Sequence, residues 1–167
     1  GRKCAFRQVM AGGRDQGRSY TYRAAHLSEA AFYPKGSAAM SGVAVDEDVY
    51  ASVLATMPTT EEDPDVRLVI ESTANGPSGL YHKLVHTAAS SGEWAFRFYP
   101  WFAFKGYQRA LTPGWKPLPD ELVLQKLHGL TDEQLAWRRY KIIDQGIGLQ
   151  RFRKEYPSTW LEPFLIS

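Results

Sequence analysis

Four polar side chains directly follow the most β-prone run of the sequence, which spans residues 66–70. They supply an acid, two hydroxyls and an amide, and they are Glu71, Ser72, Thr73 and Asn75. A short apolar run bounded by turn residues is typical of a buried parallel strand. Ligands of open α/β sheets bind just outside the carboxyl ends of the strands. These side chains are therefore candidates for a nucleotide or substrate site. The alternative is that Ser72, Thr73 and Asn75 cap the following helix.

A second acid follows an earlier β-prone segment, residues 20–27. Glu29 comes just after this segment, and His26, near the end of the segment, lies shortly before Glu29. If the two segments are neighbouring strands of one sheet, Glu29 can lie at the same sheet edge as Glu71 and Thr73. The alternative is that Glu29 begins a helix, where an acid interacts favourably with the positive end of the helix dipole.

A glycine-rich segment, residues 12–19, matches the phosphate-loop pattern except that Arg18 replaces the lysine. A true phosphate loop opens a helix, because the helix N-terminus holds the phosphates. Residues 19–23 are instead β-prone, so the strand–loop–helix context is missing. The segment is better described as a glycine-rich loop that carries Arg14 and Arg18. A plain surface turn between two strands is the alternative.

The composition limits the possible classes of protein. The 167 residues suffice for one domain with a core, or for most of a larger one. A net charge of +2 is too small to indicate nucleic-acid binding by itself. Cys4 is the only cysteine, which excludes a disulfide framework and fits a reducing, cytoplasmic compartment. No apolar run approaches the ~18 residues of a membrane span. Because the sequence begins at Gly1 and passes quickly into a strand-like segment, we expect it to be a piece of a longer protein.

The remaining pattern predicts an α/β fold with a mainly parallel sheet flanked by helices. Strands are predicted at residues 4–10, 20–27, 66–70 and 94–100, and helices at 46–57, 79–91, 120–128 and 132–144. The aromatic run at residues 100–104 is expected to fill a core edge. His82 and His86 are spaced like a metal pair, but without a third ligand we expect surface histidines. The main basic cluster lies within and after the last predicted helix. Such a cluster is usually a solvated face, and a track for phosphate groups is the alternative.

Four segments together resemble the large terminase subunit of tailed bacteriophages, in order and spacing, over almost the whole chain. They are residues 26–32 (HLSEAAF), 71–76 (ESTANG) with Gly79, 137–139 (WRR) and 152–157 (FRKEYP). In that family the first is the Walker B segment, whose glutamate activates the water that attacks ATP. The second resembles the coupling motif, which links hydrolysis to DNA movement. The Glu-Tyr-Pro segment typically lies near the end of the ATPase region.

The resemblance implies part of a P-loop NTPase domain of the ASCE type. Residues 1–110 would form the Walker B and coupling part, without Walker A. Residues 111–167 would form a small helical extension that leads toward a nuclease domain. One departure is Ser28, which stands where Walker B usually has an aspartate. A hydroxyl can still contact Mg²⁺ or its water, but it lacks the charge.

The same resemblance assigns roles to individual residues. Glu29 would be the catalytic base, and Arg18 would be an arginine finger for a neighbouring subunit, with Arg14 as the second candidate. Ser28 and Glu29 would hold the Mg²⁺ shell. Nucleotide contacts are expected from Ser28, Ser72, Thr73 and Asn75. Separately from the resemblance, the basic cluster gives Arg138, Arg139, Arg151 and Arg153 as the expected contacts with nucleic acid if it is a track for phosphate groups.

The intact protein would then use ATP and Mg²⁺ to package double-stranded DNA in the cytoplasm of the bacterial host. Its partners would be the portal protein, the small terminase subunit and further copies of itself in a ring, with no membrane. Without a lysine-bearing phosphate loop, the chain alone is expected to be inactive. Three alternatives stay open: another P-loop motor such as a helicase, a non-catalytic nucleic-acid-binding module, or an interaction domain.

Overall fold

The computed structural model describes residues 21–35, 45–92 and 94–165, together with residue 8. The predicted strand at residues 4–10 and the loop with Arg14 and Arg18 lie outside the described residues. The chain divides into two compact units. The first is drawn from residues 1–73 and 78–90, and the second from residues 74–77 and 91–167. The predicted boundary after residue 110 lies inside the second unit.

The first unit contains a parallel pair of strands, β1 (Ala24–Leu27) and β2 (Arg67–Ile70). Leu27 lies opposite Ile70 in the register. Helix α1 (Asp46–Leu54) lies in the connection between the strands, and α2 (Leu80–Ser91) follows β2. Parallel strands need such a crossover connection. The predicted mixed α/β class is therefore confirmed, with a two-stranded parallel sheet and five α-helices in the described part.

The burial predicted for the strand at residues 66–70 is wrong. Along β2, exposed and half-buried residues alternate, and Val69 is 52% exposed. Alternation of this kind is typical of a strand that packs on one face only. Among the described residues the sheet has two strands.

The second unit contains the other three helices, and it begins with an extended stretch and a short 3₁₀ turn, Trp101–Ala103. Helices α3 (Pro119–His128) and α4 (Asp132–Arg139) follow, and α4 continues into a π-helical turn, Tyr140–Asp144. These confirm the helices predicted at residues 120–128 and 132–144. Helix α5 (Leu149–Glu155) was not predicted, and a last 3₁₀ turn spans Glu162–Phe164.

The strand predicted at residues 94–100 is not a strand. Its side chains do alternate between half-buried and exposed positions. The alternation serves aromatic packing, since the ring of Phe96 lies edge-on to Trp160 with 5.8 Å between centroids. The alternating sequence pattern therefore indicated burial of one side of this segment, although the segment does not pair with a neighbouring strand.

An aromatic core organises the second unit. Trp137 stacks between Tyr107, 4.4 Å away, and Trp101, 5.5 Å away, as measured between ring centroids. Phe152 is 1% exposed and meets both tryptophans edge-on. The expected core position of the run at residues 100–104 is confirmed for Trp101, which is 2% exposed. Within the described ranges, none of the helices has the length and apolar character that crossing a bilayer requires.

Candidate functional site

Both strands of the first unit end at the same edge of the sheet. The amide of Glu71 donates to the carbonyl of Leu27 at 3.0 Å, which extends the ladder by one residue. The amide of Ala30 then donates to the carbonyl of Glu71 at 3.2 Å. These bonds place the turn that contains Glu29 beside the polar turn after β2. The structure thus brings together the two acids that the sequence places after separate strands.

Glu29 has an unusual backbone conformation. Its φ of 54° and ψ of 38° are left-handed, and no other non-glycine residue in the described part has a positive φ. The left-handed region costs roughly 1–2 kcal/mol for residues with a Cβ atom. Glu29 precedes the 3₁₀ turn Ala30–Phe32. The alternative, that Glu29 begins a helix, therefore holds only for this single turn. Non-glycine residues in this region are concentrated at functional sites, where neighbouring structure holds them in place.

Ser72 connects the two turns. Its Oγ accepts a hydrogen bond from the amide of Ala31 at 3.2 Å and donates to the carbonyl of Thr73 at 2.7 Å. The same oxygen lies 3.5 Å from Oε2 of Glu29. A serine hydroxyl has one proton, so it can serve only one of these two acceptors at a time. The shorter bond in this structure goes to Thr73.

Two tyrosines border this edge, and sequence reasoning missed both of them. The hydroxyl of Tyr81, on α2, donates to the carbonyl of Ser72 at 3.0 Å. Burial raises the pKa of Tyr81, and the charges of Glu71 and Glu29 raise it further. Burial and the charge of Glu71 also raise the pKa of Tyr33. The available signal was the hydroxyl of Tyr81, since a partly buried tyrosine hydroxyl usually has a hydrogen-bond partner.

The edge carries negative charge and is open to solvent. Glu29 is exposed, and the side chain of Glu71 is 48% exposed. Nε2 of His26 lies 3.4 Å from Oε1 of Glu71. Carboxylates and hydroxyls of this kind can accept a proton from water or hold the water shell of a magnesium ion. Ser28 and Thr73 are exposed beside them.

Asn75 belongs to the second unit, whereas Ser72 and Thr73 belong to the first. Its Oδ1 lies 3.5 Å from Nζ of Lys154, on α5. The polar turn that the sequence treats as one motif is therefore divided between the two units.

The predicted alternative, that the polar turn caps α2, is wrong for the first helical amide. The amide of Leu80 donates to Oδ2 of Asp46 at 2.6 Å, and Oδ1 of Asp46 accepts from the amide of Glu47 at 2.9 Å. One buried carboxylate thus serves the first turns of both α1 and α2. Gly79 permits this approach, because a Cβ atom there would lie 3.0 Å from Oδ2 of Asp46 and its φ is +89°.

The predicted nucleic-acid arginines divide into a pair that packs within the second unit and a pair with exposed side chains. Arg138 is 8% exposed, lies against the ring of Phe152 and has a pKa lowered by burial. Arg139 forms an ion pair with Glu121, which is 1% exposed. Arg151 and Arg153 have exposed side chains, which pair with Glu155 at 3.9 Å and Glu162 at 3.2 Å. The side chain of Arg139 is 24% exposed, whereas those of Arg151 and Arg153 are 73% and 49% exposed.

Metal ligands do not cluster in the described ranges, where no three His, Cys, Asp or Glu side chains converge. His82 and His86 lie edge to face with 4.4 Å between ring centroids. Burial lowers the pKa of His82, as do the nearby charges of His86 and Lys35.

No protein-family model matches the chain, and neither a curated protein nor a solved structure matches it significantly.

Proposed function

We propose that this chain is part of the ATPase domain of a phage large terminase subunit, the motor that packages double-stranded DNA into proheads. The observation that carries the proposal is the placement of Glu29. It follows the first of two parallel strands in a left-handed conformation, and its carboxylate lies 3.5 Å from the hydroxyl of Ser72 after the second strand. The fold would then be part of a P-loop NTPase domain of the ASCE type.

In this mechanism Glu29 orients the attacking water and accepts its proton. Phosphoryl transfer depends mainly on positioning and on stabilisation of charge, so a carboxylate beside a hydroxyl is the appropriate chemistry. Ser72 can donate its single proton to Glu29 or to the carbonyl of Thr73. Thr73 and Asn75 would face the γ-phosphate side and transmit its loss to the rest of the motor.

The residues at the sheet edge suit a magnesium nucleotide. Mg²⁺ prefers hard oxygen ligands and usually keeps several waters. Glu29 and Ser28 would hold that water shell, with Glu71 adding negative charge. Bound Mg²⁺ would neutralise charge that develops on the phosphate oxygens. Arg18, with Arg14 as second candidate, would reach the phosphate of a neighbouring subunit, and a finger of this kind is worth roughly 10³–10⁵ in rate.

The partners proposed for the intact protein follow from the same motor. They are double-stranded DNA, the portal protein, the small terminase subunit and further copies in a ring, all in the bacterial cytoplasm. Of the proposed DNA contacts, Arg151 and Arg153 are the ones that have exposed side chains. Arg138, which is buried, and Arg139, which pairs with Glu121, would support the surface that carries them.

The test is Glu29→Gln in the chain together with the upstream segment that holds its phosphate loop. The amide cannot accept a proton, so Mg·ATP binding should persist while turnover falls about 10²–10⁴-fold. Glu61→Gln is the matched control, because Glu61 is an exposed acid in the linker before β2. Hydrolysis and binding should be measured with and without double-stranded DNA.

Several outcomes would contradict the proposal. Near-normal turnover by Glu29→Gln would remove Glu29 from the catalytic role. Micromolar binding of Mg·ATP by the chain alone would contradict the assignment of the phosphate loop to another segment. DNA binding with a steep salt dependence and no ATP binding would favour a non-catalytic module instead. Strand separation without packaging would favour a helicase.

A further inference from the structure

An open depression in the surface of the second unit, here called the cavity, involves none of the residues of the sheet edge described above. It has a volume of about 520 Å³ and is lined by Ile147, Arg151, Glu155 and Tyr156. Sites for small molecules have volumes of roughly 300–1,000 Å³ and combine apolar walls with a few polar groups. The cavity has both features, and its four lining residues come from the end of one loop and from one short helix.

The polar wall of the cavity is a loose ion pair. Nε of Arg151 lies 3.9 Å from Oε1 of Glu155, one helical turn further along α5. The side chains are 73% and 45% exposed. An exposed pair at this distance contributes about 0–1 kcal/mol, so a ligand can replace it at small cost. Donor and acceptor groups therefore stand side by side and are available to one ligand.

The apolar wall is better fixed than the polar one. Tyr156 packs against Phe152 and Trp137 with centroid distances of 5.2 Å and 5.3 Å, so its ring is anchored in the aromatic core. Nζ of Lys141 lies 5.7 Å from the centroid of the same ring. A positive charge beside an aromatic wall favours a flat ligand that carries negative charge, such as a nucleotide.

We propose that this cavity binds a guanine base, either of a free nucleotide or of an unpaired guanine in a nucleic-acid strand. The Watson–Crick edge of guanine presents the acceptor O6 next to two donors, N1–H and N2–H. Arg151 would donate to O6, and the two oxygens of Glu155 would accept from N1–H and N2–H. Tyr156 and Ile147 would contact the flat faces of the base.

The other bases complement this pair of side chains less well. Adenine presents one donor group beside one acceptor on the same edge. Cytosine presents one donor group, and uracil and thymine each present a single donor between two acceptors. Each of these leaves one oxygen of Glu155 without a bond, and an unpaired polar atom at a binding site reduces affinity. No residue of the sheet edge takes part, so the binding test does not depend on the ATPase assignment, and Arg151 is the one residue shared with the proposed DNA contacts.

The experiment is a calorimetric titration of the chain with GMP, IMP and AMP. IMP keeps O6 and N1–H but lacks the N2 amino group. We expect GMP to bind about tenfold more tightly than IMP or AMP, since one hydrogen bond to a charged group is worth about a factor of ten or more. Glu155→Gln should abolish the difference between GMP and IMP. Arg151→Gln should weaken both ligands to a similar extent.

The matched controls are Glu47→Gln and Lys83→Gln. These residues form an exposed ion pair at 2.6 Å in the first unit, so their substitution should leave all three affinities unchanged. A short single-stranded oligonucleotide with one guanine separates the two sources. Tighter binding of the oligonucleotide than of GMP would identify a strand, and equal or weaker binding would identify a free nucleotide. Equal binding of GMP, IMP and AMP, no binding at millimolar concentration, or an unchanged preference in Glu155→Gln would overturn the proposal.

Discussion

Glu29 and Glu121 show how differently the two units use the same side chain. Glu29, in the first unit, is exposed and sits in a left-handed turn, with a serine hydroxyl 3.5 Å from its carboxylate. Glu121, in the second unit, is 1% exposed and is bound by Arg139 and by the amide of Leu118. The first arrangement leaves the carboxylate available at an energetic cost to the backbone. The second stabilises the local structure and leaves the carboxylate unavailable to solvent.

This comparison teaches that the surroundings of a carboxylate, more than its presence, indicate its use. A buried acid whose oxygens are all bonded has a structural role, because freeing it would leave unpaired polar groups. An exposed acid in a strained backbone does not stabilise the fold in this way. Backbone strain of this kind is concentrated at functional sites.

Glu121→Ala should destabilise the second unit strongly. Nε of Arg139 donates to Glu121 at 3.0 Å, and the same carboxylate accepts from the amide of Leu118 at 2.8 Å. Removing one partner of a buried ion pair costs up to about 3–5 kcal/mol. Here the amide of Leu118 loses its acceptor, and Arg139, whose side chain is 24% exposed, loses its partner. Native-state hydrogen exchange at the amide of Leu135, inside α4, should show this loss.

The control for this prediction is the double variant Glu121→Leu with Arg139→Met. Replacing both partners with apolar side chains removes the stranded charge, so most of the stability lost in Glu121→Ala should return. If Glu121→Ala costs less than about 1 kcal/mol, the pair is an ordinary surface interaction. The contrast with Glu29 would then have no basis in stability.

Local features of the fold were predictable from sequence, and long-range features were not. Helix α4 begins at a capping box in which Thr131 and Gln134 exchange hydrogen bonds, and that pattern is visible in four consecutive residues. Helix α5 escaped prediction because it has 7 residues, follows Gly148 at a positive φ and buries only Phe152. So short an amphipathic pattern gives almost no periodic signal.

The candidate site divides in the same way. The position of Glu29 after a strand, near the polar turn of Ser72, was predictable from the order of the segments. Its left-handed backbone was not, since it depends on bonds from Ala30 and Ala31 to a turn more than forty positions away. The cap of α2 also comes from a distant residue, Asp46, whereas sequence reasoning considered only the adjacent turn.

Asp46→Ala should have an intermediate effect in the first unit. The variant removes the acceptors for the amides of Leu80 and Glu47, at the start of α2 and α1. Losing a helix cap costs typically about 1 kcal/mol and up to about 2, so two caps should cost roughly 2–3 kcal/mol. Faster hydrogen exchange at the amide of Lys83, in the first turn of α2, is the measurement.

Asp48→Ala is the matched control, because Asp48 is an exposed acid in the same first turn of α1. It should change stability by less than about 0.5 kcal/mol. Protection of Lys83 that is unchanged in Asp46→Ala would mean that the cap contributes nothing to α2. The polar turn after β2 would then regain the capping role.

The smallest expected effect is also the most specific to the contrast, and it concerns the backbone of Glu29. Glu29→Gly removes the Cβ atom that makes the left-handed conformation unfavourable, whereas Glu29→Ala keeps it. The strain relieved is roughly 1–2 kcal/mol, and the greater freedom of glycine in the unfolded chain offsets about 0.4–1 kcal/mol of it. Glu29→Gly should therefore be about 1 kcal/mol more stable than Glu29→Ala and at least as stable as the unchanged protein. The amide of Glu71, which bonds to Leu27 beside this turn, is the exchange probe. If Glu29→Gly instead exchanges faster than Glu29→Ala, a Cβ atom is not unfavourable in this turn. The left-handed conformation of Glu29 then stores no strain and needs no functional explanation.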